Sequence, residues 1–239
     1  MTEATRKRAL VTGASTGIGR ATAIAFAKAG FDLALVSRSE AKLAAIAEQL
    51  SEVSQVDIFP IDLAALAEVK PAIGRILQHG PLDVVVNNAG MGYTGSLMDT
   101  SLADWQQVID LNLTSVFQCL QAVLPAMCDR GSGLIINVAS IAARQAFPDW
   151  GAYSVSKAGL LALSRAAAVE ALPRGVRVTT VLPGAVNTPL WDTDTVQADF
   201  DRAGMLTPET VAQSILHTAL LPESAVIEEL TLMPSGGAL

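Results

Sequence analysis

Short, uninterrupted apolar runs recur along the chain, among them Val84-Val85-Val86 and Leu134-Ile135-Ile136, each followed by a longer helical stretch. Strands that alternate apolar and polar residues keep one face wet, whereas continuous runs of this kind belong to parallel strands covered on both faces. Seven such runs are read: Ala9 to Thr12, Leu33 to Ser37, Val56 to Pro60, Val84 to Asn87, Leu134 to Ala139, Val176 to Val181 and Val226 to Leu232. Six helices are expected between them. Right-handed crossovers then give an α/β, doubly wound Rossmann-type architecture, a seven-stranded parallel sheet with helices on both faces. No charge block or Pro/Ser-rich linker divides the 239 residues, so one domain is expected over residues 1–239.

Composition removes several functions. Hydrophobic residues make up 51% and charged residues 16%, which suits a large core and excludes a disordered role. A net charge of −7 opposes a phosphate backbone, so no nucleic-acid partner is expected. Cys119 and Cys128 are nine positions apart in a helical stretch, about 13 Å at 1.5 Å per residue, too far for a disulfide. Two buried free thiols in a reducing cytoplasm follow. His79 and His217 have no ligand partners at metal spacing, and no metal is expected.

No membrane segment is expected either. Arg6, Lys7 and Arg8 before an apolar stretch mimic a signal peptide, but Glu3 precedes them and three glycines follow before Arg20. Leu111 to Cys128 is uncharged for 18 residues, yet Asn112, Gln118, Gln121 and Pro125 interrupt it, and it reads as a buried helix.

In doubly wound sheets ligands sit beyond the carboxyl ends of the strands. The first such end reads Thr12-Gly13-Ala14-Ser15-Thr16-Gly17-Ile18-Gly19, directly before a helical run. Glycines there let the backbone turn and approach a pyrophosphate, whose charge meets free amides at the helix start. The second end reads Ser37-Arg38: the acid that would take the hydroxyls of an unphosphorylated ribose is missing, and an arginine that can fork onto a 2′-phosphate is present. Tyr153 and Lys157 are four apart at a helix start, so a cation lies beside a phenol on one face. A nearby ammonium favours the phenolate and makes the phenol a tunable proton donor.

The glycine loop, Asn87-Asn88-Ala89-Gly90 at the fourth strand end, Asn112, Ser140 thirteen residues before Tyr153, Tyr-x-x-x-Lys at 153–157 and Pro183-Gly184 after the sixth strand occur in one order. Over nearly its whole length the chain resembles the short-chain dehydrogenase/reductase family. That resemblance implies a catalytic tetrad of Asn112, Ser140, Tyr153 and Lys157. Tyr153 would give a proton to the substrate oxygen as hydride reaches the carbonyl carbon, with Ser140 bonded to the same oxygen. Lys157 would bind the nicotinamide ribose and lower the tyrosine pKa, and Asn112 would hold a water leading to solvent.

For the cofactor the resemblance implies contacts from Gly13, Ser15, Thr16, Gly17, Ile18 and Gly19, from Ser37 and Arg38, and from Asp62 and Leu63 near the adenine. Asn88, Ala89 and Gly90 would lie by the adenosine ribose, and Pro183, Gly184, Val186 and Thr188 by the nicotinamide. Arg38 implies NADP(H), with NAD(H) as the weaker alternative, because Thr16 stands where many NADP-using members carry a basic residue. Asp62 also reads as a helix N-cap before Leu63.

The expected substrate is a small ketone or secondary alcohol, faced by Met91, Tyr93, Ala142, Phe147, Trp150, Leu190, Trp191, Phe200, Met205 and Leu206, with residues 187–206 as a mobile lid. Carbonyl reduction in the cytoplasm by a homotetramer or homodimer is the leading reading. A 3-oxoacyl carrier-protein reductase, with Arg130 and Arg174 near the carrier-docking positions, is the alternative, and a regulatory NADP-binding protein without turnover is a third.

Overall fold

The computed structural model describes residues 6–198 and 201–237. Seven strands form one parallel sheet in the order β3-β2-β1-β4-β5-β6-β7. They are β1 (Arg8–Thr12), β2 (Asp32–Ser37), β3 (Val56–Pro60), β4 (Val84–Asn87), β5 (Gly133–Val138), β6 (Val176–Pro183) and β7 (Glu229–Leu232). The doubly wound fold is therefore as expected. Alternate side chains of each strand enter opposite layers, as the two-residue period requires. Ala9, Val11, Val84, Val86, Leu134 and Ile136 join one core with Phe26, Leu43 and Ile215. Leu10, Val85, Ile135 and Val178 join the other with Ile73, Val123 and Leu160.

The first core is covered by α1 (Gly17–Lys28), α2 (Glu40–Leu50) and, late in the chain, α7 (Pro208–Leu220). The second is covered by α3 (Leu66–Leu77), α5 (Ser115–Arg130) and α6 (Gly151–Ala171). After β3 the chain returns to place β4 beside β1, so the strand order reverses between β1 and β4. That switch point opens a crevice at the carboxyl ends.

Four expectations change. Among the described residues there are seven α-helices rather than six, because β4 and β5 are joined by two, α4 (Leu102–Ile109) and α5, with a π-helical turn at Asp110–Thr114 between them. The run Leu111 to Cys128 is thus not one buried helix. The stretch Leu102–Arg130 has the length and apolarity to cross a membrane, but it packs against α3 and α6, and 39% of its most apolar window is buried. Phe117 on α5, with Val155 and Val169 on α6 and Leu172 just beyond, remains exposed. Cys119 is buried, and burial pushes its thiol up to about 12, whereas Cys128 is only half-buried.

The last strand begins at Glu229, not Val226. Arg177 of β6 donates to the carbonyls of Pro222 (3.3 Å) and Ala225 (2.9 Å), which holds that segment on a side chain, and ladder pairing starts only at Thr180 opposite Glu229.

Candidate active site at the sheet switch point

The crevice is built first by joining the ends of β1 and β4. The Thr12 hydroxyl accepts from the backbone N–H groups of Asn88 and Ala89, each at 3.0 Å, and the Asn88 amide donates to Thr12 O at 3.0 Å. The chain then turns at Gly13 (φ 65°), where a Cβ would lie 2.9 Å from Ala89 Cα. At Gly19 a Cβ would come within 2.2 Å of the Gly13 carbonyl oxygen, so any larger residue forces the loop open. Thr16 starts α1 in extended backbone without a side-chain cap, which leaves the first amides free to donate to an anion. Ser15, Gly17 and Ile18 line the same half-buried turn. This cradle fits the diphosphate of a dinucleotide.

Ser37 ends β2 beside it, held by Ala14 N donating to Val36 O at 3.1 Å. The Ser37 hydroxyl accepts from Ser39 N at 3.2 Å, and the exposed Arg38 guanidinium makes no ion pair among the described residues. Asp62 is exposed, with Oδ1 accepting from Ala64 N at 3.0 Å, while Leu63 is buried. Asp62 is not the N-cap expected from the sequence: α3 starts at Leu66 behind Ala65, so Asp62 closes a turn one step earlier. On the other flank, Thr188 packs within 3.3 Å of the position a Gly17 side chain would take, and buried Val186 bridges to Leu206. Pro183 ends β6 opposite Leu232 of β7, and Gly184 faces Met233 and Pro234, so these two shape the strand end rather than the cradle.

Ser140 follows β5 in extended backbone, its hydroxyl accepting from Ala142 N at 3.1 Å. Tyr153 and Lys157 occupy the first turns of α6. Burial raises the Tyr153 pKa, and the Ser140 hydroxyl bonded to it pulls the other way. The Lys157 ammonium lies 5.7 Å from the Tyr153 ring centre and donates to Val138 O at 3.1 Å. Burial lowers its pKa to about 8. A lysine that has shed most of its hydration can change charge near neutral pH, which surface lysines do not.

Asn112 sits fully buried in the π turn. Its Oδ1 accepts from Met91 N at 2.8 Å, and its Nδ2 donates to Met91 O at 3.0 Å and to Ser156 Oγ at 3.1 Å. Ser156 in turn donates to Tyr153 O at 2.7 Å. A Gly90 side chain would lie 3.0 Å from Asn112 Oδ1 and 3.5 Å from Lys157 Nζ, so only glycine leaves these groups room to converge. The tetrad named from sequence and the glycine loop thus lie at the carboxyl ends of the strands, whereas Pro183 and Gly184 shape the end of β6. Ser156 and the Thr12 hydroxyl were missed, because a serine or threonine inside an element carries no sequence signal for a partner on another element.

A cleft of about 480 Å³ lies elsewhere, at the amino ends of the strands, lined by Arg6, Arg8, Asp32, Asp57, His79 and Asp83 among others. Four of its ionic groups pair with each other, Arg8 with Asp57 at 2.8 Å and Arg6 with Asp32 at 3.6 Å. His79 packs edge-on against Phe59, and the described residues contain no group of three or more His, Cys, Asp or Glu able to hold a metal.

A family model for short chain dehydrogenases matches residues 7–198. The chain belongs to this family. An uncharacterized oxidoreductase of Staphylococcus haemolyticus is 32% identical over 235 residues, covering 98% of this chain and all of that protein. A 3-oxoacyl-[acyl-carrier-protein] reductase of Synechocystis is 38% identical over 247 residues, covering 99% of this chain and 98% of that protein. Among solved structures, an alcohol dehydrogenase from the archaeon Thermococcus sibiricus, complexed with 5-hydroxy-NADP, superposes with a TM-score of 0.88 at 33% identity, covering 96% and 97% of the two chains. This short-chain dehydrogenase is an oxidoreductase, and it carries the family's parallel sheet and crevice.

Proposed function

We propose that this short-chain dehydrogenase transfers hydride between NADP(H) and a ketone or secondary alcohol, with Tyr153 exchanging the proton. The observation that carries the reading is the buried Lys157 ammonium, with a pKa near 8, held 5.7 Å from the ring of a phenol that also bonds Ser140. The nicotinamide, when bound, supplies or accepts the hydride at the substrate carbon. Tyr153 Oη delivers a proton to the carbonyl oxygen, and Ser140 donates a hydrogen bond to the same oxygen. Donors already in place meet the developing alkoxide charge without reorganisation. Lys157, protonated below about pH 8, favours the phenolate left behind. The Asn112 amide nitrogen has spent both hydrogens on Met91 and Ser156, so a water leading to solvent would bind the second lone pair of Oδ1.

For NADP(H), the diphosphate would rest on Gly13, Gly17 and Gly19 at the start of α1, and Arg38 would take the 2′-phosphate. The exposed and unpaired guanidinium after a strand end without an acid supports that choice, as does the 5-hydroxy-NADP in the Thermococcus enzyme.

The Synechocystis relative favours a second reading, reduction of a 3-oxoacyl group on a carrier protein. Against it, the two arginines expected to meet an acidic carrier are engaged, Arg174 with Asp129 at 2.9 Å and Arg130 with Leu82 O at 2.6 Å. Following NADPH and NADH oxidation with aryl ketones, β-keto esters and an acyl-carrier thioester tests both. Ketone reduction with NADPH is expected, and reduction confined to the thioester would replace the first reading with the second.

A further inference from the structure

Two of the three tryptophans meet beside the proposed proton donor, although they come from separate parts of the chain. The Trp150 ring lies 5.2 Å from the Tyr153 ring at 73°, and 5.6 Å from the Trp191 ring at 68°. These are edge-to-face contacts, the arrangement that the charge distribution of aromatic rings favours.

Both indoles are held in place. The Trp191 indole N–H donates to Val186 O at 2.8 Å, which orients that ring. Trp150 is bridged to Gly95, and Gly95 N donates to Asp149 O at 2.7 Å. Asp149, just before it, has φ 64°, the one non-glycine left-handed residue among those described. Such a conformation persists only where surrounding contacts impose it, and it clusters at functional sites.

Charged groups near Trp150 and Trp191 in the chain pair with other residues. Arg144 bonds Glu229 and Thr231, and Arg202 pairs with Asp192 at 2.5 Å. The exposed Asp149 carboxylate stands next to Trp150 and repels anions. Beside Tyr153 itself stand the two indole rings, held by these contacts.

We infer that the substrate is a neutral ketone bearing a planar aromatic group, and that Trp150 and Trp191 select it by ring contact; this rests on the reductase reading above. An aromatic pair adds a binding preference of about three- to tenfold beyond the area it buries.

The test compares acetophenone with cyclohexyl methyl ketone, of similar size but without a flat ring, using NADPH. Intrinsic reactivity differs between them, so the quantity read is the ratio of kcat/KM values, variant against unaltered enzyme. Trp191→Leu and Trp150→Leu are expected to lower that aryl-to-cyclohexyl ratio about three- to tenfold, with Trp191→Phe restoring most of it. Trp105→Phe, on α4, should leave it unchanged. Equal losses for both ketones would overturn the inference.

A second readout does not depend on turnover. The Trp150–Trp191 pair should give an exciton couplet in circular dichroism that Trp150→Phe and Trp191→Phe remove and Trp105→Phe keeps. Acetophenone should perturb the couplet and cyclohexyl methyl ketone should not. If no ketone is reduced, the reductase reading fails, and the couplet still decides whether an aromatic ligand docks there; a couplet unmoved by acetophenone overturns the inference.

Discussion

The two ends of the one sheet solve opposite problems. At the amino ends, Arg8 is buried in β1 and held by four hydrogen bonds: its guanidinium donates to Asp57 at 2.8 Å, to Ile76 O at 3.3 Å and to Gly80 O at 3.1 Å, and its backbone N–H to Asp83 at 2.8 Å. An arginine cannot shed its proton to escape the cost of burial, so partners must offset it. At the carboxyl ends, Lys157 is buried with one carbonyl partner, and its pKa falls to about 8 instead. The amides at the start of α1 are likewise left uncapped. A stabilising region satisfies its polar groups, whereas a reactive one holds donors in reserve and accepts the energetic cost. The contrast separates a cleft whose charged groups satisfy one another from a crevice whose donors stay available to a ligand.

The largest expected effect falls at the reactive end. Tyr153→Phe keeps the ring against Trp150 and removes the proton donor, so turnover should fall by about 10²–10⁴ with melting temperature and NADPH affinity nearly kept. Activity within threefold of the parent, measured by NADPH oxidation, would break the contrast by showing that the donor lies elsewhere.

A smaller effect sharpens the cofactor assignment. Ser37→Asp with Arg38→Leu should invert a preference for NADPH over NADH of roughly ten- to a hundredfold, because charged hydrogen bonds contribute about 1.5–3 kcal/mol. Thr16 adds no charge in the loop, which points to the lower end of that range. The comparison of kcat/KM for both cofactors at one saturating ketone checks this, and an unaltered enzyme that prefers NADH would leave Arg38 as a solvated loop residue.

The smallest effect on turnover should come from the amino end. Arg8→Met leaves Asp57 and the carbonyls of Ile76 and Gly80 without their donor, for a stability loss of about 1.5–3 kcal/mol in urea unfolding. The kcat per folded molecule should not change. A matching fall in kcat would mean that the two ends are coupled.

Much of this protein follows from short stretches of sequence. Strands buried on both faces announce themselves as apolar runs, and a glycine loop between strand and helix follows from the backbone freedom of Gly13 and Gly19. The pairing of Tyr153 and Lys157 is a matter of helical period alone. The tertiary structure decided the rest. The π turn at Asp110–Thr114 and the missing part of β7 were illegible because their hydrogen-bond partners are remote: Asn112 is satisfied by Met91, 21 positions away, and by Ser156, 44 away, while Arg177 reaches Ala225, 48 away. The same holds for the Trp150–Trp191 corner and the Arg8 cluster, which spans 75 positions to Asp83. Propensity and periodicity act within a few residues, whereas a buried polar group or an aromatic ring takes its role from whichever distant groups the packed fold brings against it.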